Sequence, residues 1–100
     1  MRSYCLELYV PRGSDARIEK AADDARRAAE ALSADGVPIR YVRSTYLGED
    51  ETCFHLFEAE SAQQVAAAAH RAALVGGRIT PAVEAGGRAK ERVRRSRSTD

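Results

Sequence analysis

The chain has 100 residues, of which 16 are basic and 15 acidic, with 44% hydrophobic side chains and no tryptophan. That length makes one domain with a thin core, filled by leucine, isoleucine, valine and alanine. No apolar run approaches the roughly 20 residues of a membrane helix, and the start MRSYCLELYV lacks the apolar stretch of a signal peptide.

A cytoplasmic protein with reduced thiols at Cys5 and Cys53 is therefore expected. The charge is unevenly placed. Residues 87–100 hold six basic and two acidic side chains and carry +4, which leaves −3 on residues 1–86. The segment 87–100 is almost all charge and serine and buries too little to fold alone. It is expected to be a disordered basic tail behind a single domain at 1–86. No aromatic reader accompanies its arginines, so a nucleic-acid partner is not expected, and neither is a membrane.

Taken in order, residues 3–10 alternate as a strand, with Tyr4, Leu6, Leu8 and Val10 on one face and Cys5, Glu7 and Tyr9 on the other. A helix is predicted over 15–34, opened by Ser14 or Asp15 and closed at Asp35-Gly36. Its apolar stripe runs through Ile18, Ala21, Ala25, Ala28 and Leu32. Residues 37–47 and 52–59 are two strands joined by the polar turn Gly48-Glu49-Asp50-Glu51, which reads as a solvated hairpin. Ser61 and Gln64 form a capping box for a second helix that reaches about Leu74 and stops at Gly76-Gly77. A short strand over 78–84 ends the domain.

The order β-α-β-β-α-β is the split, ferredoxin-like α+β pattern: an antiparallel four-stranded sheet with two helices on one face. If Leu6, Leu8, Phe54 and Leu56 face the helices, then Cys5, Glu7, Tyr9, Cys53, His55 and Phe57 lie on the open face. On the second strand, Val42 turns Arg40 and Ser44 toward the helices and leaves Tyr41 and Arg43 on the open face. Such a face is too apolar to stay wet, so a homodimer through the sheet is expected.

On this reading Glu7 sits opposite His55, with Cβ atoms about 4.5–5.5 Å apart. Cys53 shares their face, two positions from His55. Cys5 and Cys53 fall about 13 Å apart along the strands, beyond the roughly 7 Å that a disulfide allows, so both remain thiols. Thiolate, imidazole and carboxylate together suit a divalent transition metal, with Cys53, His55, Glu7 and Cys5 as the ligand set. The same group suits cofactor-free proton transfer on a small molecule in a dimer cavity, of the monooxygenase or isomerase type. His55 would be the base, Glu7 its orienter and Arg43 the anion holder. A noncatalytic interaction module, using the sheet face only to dimerise, is the third reading. His70 reads as a surface histidine, and no organic cofactor is indicated.

The run IRYVRSTYLGEDETCFHLFEAESAQQV, residues 39–65, with the opening YCLELYV, resembles the small bacterial domains labelled nickel-binding proteins. The shared pattern is Arg43-Ser44, the turn Asp50-Glu51, then Cys53-Phe54, Leu56-Phe57-Glu58-Ala59 and the Ser61 helix start. The resemblance spans about residues 1–85. It implies a ferredoxin-like fold, a dimer and nickel, with Cys53 as the position carried over; His55 comes from strand parity alone.

Overall fold

The computed structural model describes residues 1–86; the predicted basic tail, 87–100, lies outside them. The elements are β1 (Arg2–Tyr9), α1 (Asp15–Ala34), β2 (Ile39–Leu47), β3 (Thr52–Ala59), α2 (Ala62–Arg71) and β4 (Arg78–Ala82). All pairings are antiparallel, in the spatial order β2-β3-β1-β4. This is the α+β, ferredoxin-like arrangement that the chain order predicts. Among the described residues no helix is long and apolar enough to cross a membrane.

The two helices pack on one sheet face through small side chains. Ala25, Ala28 and Ala29 of α1 and Ala68 and Ala69 of α2 are buried against Tyr4, Leu6, Ile39, Phe57 and Val65. Alanine adds little rotamer entropy to lose and lets the helix backbones approach the sheet closely. Full burial of Phe57 alone contributes about 1.5–3 kcal/mol.

Both helices end in the same hydrogen-bonded motif. In α1, Gly36 N–H donates to the Ser33 carbonyl and Val37 N–H to that of Leu32. In α2, Ala73 N–H donates to His70 and Leu74 N–H to Ala69. The residue between must take a left-handed backbone. Gly36 does so at φ 93°, and Ala73 does so at φ 60° despite its Cβ.

The helix starts differ from the predicted caps. Neither Ser14 nor Ser61 makes a side-chain cap bond. The Gln64 side chain reaches back to the Glu60 N–H instead of to Ser61. Gly77 is more than a helix stop: a Cβ there would lie 2.7 Å from Leu6 Cδ1 and 2.9 Å from the Glu7 carbonyl, so glycine lets the loop seat on β1.

Candidate functional site

The register of β1 on β3 places Leu6 opposite His55, Leu8 opposite Cys53 and Tyr4 opposite Phe57. Cys53, His55 and Phe57 therefore face the helices with the leucines of β1. The parity expected for β3 is reversed. Phe54 and Leu56 lie on the open face with Cys5 and Glu7, half-buried. Glu7 stands opposite Phe54, not His55, and pairs with Arg78.

On β2 the phase changes partway. Val42 is an extra residue in the ladder, between Tyr41 opposite Phe57 and Arg43 opposite Leu56. Such a bulge turns the side chains beyond it to the other face. Tyr41 thus faces the helices, its ring edge-on to Phe57 at 5.8 Å, instead of the open face. Ser44, three residues on, faces the same way, opposite His55. Arg43 does lie on the open face, where it pairs with Glu84.

The outcome is a polar chain inside the helix-facing layer. The hydroxyls of Tyr41 and Ser44 are 2.6 Å apart, Ser44 Oγ is 2.6 Å from His55 Nδ1, and His55 Nε2 is 3.5 Å from Cys53 Sγ. His55 and Cys53 are 1% and 0% exposed. Leaving a ring nitrogen unbonded there would cost about 1–3 kcal/mol, and both nitrogens have partners.

Burial pushes the His55 imidazole below its ordinary value, so the ring is held neutral. Burial pushes the Cys53 thiol up, and the Cys5 thiol adds to that. The pair is thus a neutral imidazole beside a neutral thiol. The chain of protons can run from Cys53 S–H through Nδ1–H to Ser44, or from Ser44 O–H through Nε2–H to sulfur.

The sequence-predicted ligand set is divided by the sheet: Cys53 and His55 on one face, Cys5 and Glu7 on the other. Both cysteines are free. Among the described residues no three His, Cys, Asp or Glu side chains gather closely enough to hold an ion. The predicted acid–base set is divided in the same way, because Glu7 and Arg43 are on the face away from His55. Both ring nitrogens already point at Ser44 and Cys53, which leaves no nitrogen to act on a bound molecule.

Ser44 is the partner that strand parity missed. Counting outward from Leu47 opposite Thr52 brings Ser44 to His55, so the hairpin loop length already held that information. His70 is exposed, as expected. Comparisons with protein-family models, curated proteins and solved structures find no match.

Proposed function

We propose that this protein binds a soft divalent transition-metal ion at the Cys53–His55 pair, nickel being the ion that the sequence resemblance implies. The observation that supports it is the 3.5 Å between Cys53 Sγ and His55 Nε2, with Nδ1 anchored by Ser44. A tetrahedral ion bonded at about 2.3 Å to sulfur and about 2.1 Å to nitrogen holds those two atoms about 3.6 Å apart. A partner on the second ring nitrogen is the usual support of a ligating histidine. The pair fits two positions of such a shell. Bound there, the metal would supply Lewis acidity and thiolate affinity. The chain's part is to hold a neutral imidazole ready and to give up the Cys53 proton, so affinity rises with pH.

The acid–base reading is the weaker one, because it needs a free ring nitrogen and a carboxylate on the His55 face. Self-association through the open sheet face belongs to the same proposal. Phe54, Leu56 and Cys5 make its apolar centre. The pairs Arg40–Glu58, Arg43–Glu84 and Arg78–Glu7 carry balanced charge, which suits a second copy of the same face better than a partner of single sign. Sedimentation of the parent and of Leu56→Arg tests it: a dimer that Leu56→Arg dissociates supports the reading, and a monomeric parent removes it.

The metal is tested by titrating nickel and zinc into reduced, untagged protein, beside Cys53→Ser and His55→Gln, with Cys5→Ser and Glu7→Gln as controls on the opposite face. Binding lost in the first pair and kept in the second supports the site. No binding in the parent, or binding unchanged in Cys53→Ser and His55→Gln, refutes it.

A further inference from the structure

Beyond the metal reading, with which it shares only His55, a cleft of about 210 Å³ opens between the start of α1 and the loop after α2. Its walls include Leu8 and Val10 of the β1 end, Ile18 of α1, and Leu74 and Val75 of the loop. His55 borders the cleft from behind, being 1% exposed, with its two nitrogens bonded to Ser44 and Cys53.

Among the described residues one charged group lines the cleft, the exposed Arg17, and no acidic side chain does. Arg17 makes no ion pair among the described residues, whereas Lys20, Arg26, Arg27, Arg40, Arg43 and Arg78 each have an acidic partner. It also sits in the first turn of α1, where the helix dipole disfavours a cation. An anion paired with Arg17 would be favoured by the guanidinium and the dipole, against the Asp15 carboxylate of the same turn.

Ala73, in the turn that ends α2, forms part of the wall. The volume lies below the roughly 300–1,000 Å³ of pockets for drug-sized ligands, so the occupant is small.

We propose that this cleft binds a small monocarboxylate with an apolar body, such as a single ring or short chain, its carboxylate paired with Arg17 and its body against Leu8, Ile18 and Leu74.

Benzoate and its uncharged analogue benzamide are the probes, titrated into the full chain and followed by NMR. Benzoate is expected to shift the Ile18, Leu74 and Val75 methyl signals and the His55 ring protons. Benzamide is expected to bind about fivefold more weakly, the upper range for an exposed ion pair. Arg17→Gln should remove that difference, and Ala21→Leu, which fills the cleft from α1, should abolish binding of both. If Ala21→Leu does not fold, Arg17→Gln decides the matter. Equal affinity for the two probes, shifts elsewhere on the surface, no shifts at all, or selectivity that survives Arg17→Gln would overturn the proposal. Cys53→Ser, which removes the metal ligand, is expected to leave benzoate binding in place.

Discussion

Tyr41 and Ser44 are three residues apart on one strand, yet their hydroxyls meet at 2.6 Å on the same sheet face. A regular strand would send them to opposite faces. The extra residue Val42 is what brings them together, and through Ser44 it connects the strand to the buried His55. Ser44→Ala should therefore cost about 1–3 kcal/mol, the penalty for leaving Nδ1 buried without a partner. Tyr41→Phe should cost about 0.5–1.5 kcal/mol, since Ser44 keeps its bond to the ring. The two should couple in the double variant. Urea unfolding measures all three, and a Ser44→Ala loss below about 0.5 kcal/mol would show that the chain carries no stability.

His55 gives that stability a pH dependence. Its native value is depressed by burial, while in the unfolded chain it titrates near about 6.5. Below that pH the unfolded state takes up a proton that the native state refuses, so the unfolded state gains. The contribution is full above about pH 6.5 and falls on acidification, by at most about 1.4 kcal/mol per pH unit. The stability difference between the parent and His55→Gln should thus shrink from pH 7 to pH 5. A difference that grows over that range would mean that the native ring is protonated and paired.

The element order was legible because each segment carries its own signal: the predicted bounds of α1 and β3 agree with the structure, and Gly36 ends the first helix. The phase of β3 was not. Phe54 and Leu56 on one parity and Cys53, Phe57 and Ala59 on the other are all apolar, so alternation has no contrast to read. Large residues on the open face misled the assignment. Cys53 and Ala59 fit beneath the alanine-rich helices together with the larger His55 and Phe57, so side-chain size does not separate the two faces either. The Val42 bulge leaves no mark in the sequence, and with it went the placement of Tyr41. The candidate site was thus legible as residues, Cys53 and His55, and illegible as a face.

The end of α2 offers a gain in stability. Ala73 takes the position that Gly36 takes in α1, with the same two hydrogen bonds around it. A left-handed backbone costs a Cβ-bearing residue about 1–2 kcal/mol, and glycine's added freedom in the unfolded chain returns about 0.4–1 kcal/mol of that. Ala73→Gly should raise stability by about 0.5–1 kcal/mol, seen as a higher midpoint in thermal unfolding. Lower stability would mean that the methyl group makes packing contacts worth more than the backbone cost.

The two thiols should differ in reactivity because the sheet separates them. Cys53 is fully buried beneath the helices and bonded to His55, whereas Cys5 is half-buried on the open face. Both are raised, Cys5 by burial and then by the Glu7 carboxylate, so neither is a ready thiolate at neutral pH. Iodoacetamide should label Cys5 slowly in the native protein, and Cys53 only at the rate at which the domain opens. Raising urea within the native range should speed the labelling of Cys53 and leave that of Cys5 nearly constant. Mass spectrometry of the two peptides separates the sites. Equal native rates would mean that Cys53 reaches solvent without unfolding, and the closed layer that holds the sulfur against His55 would have to be abandoned.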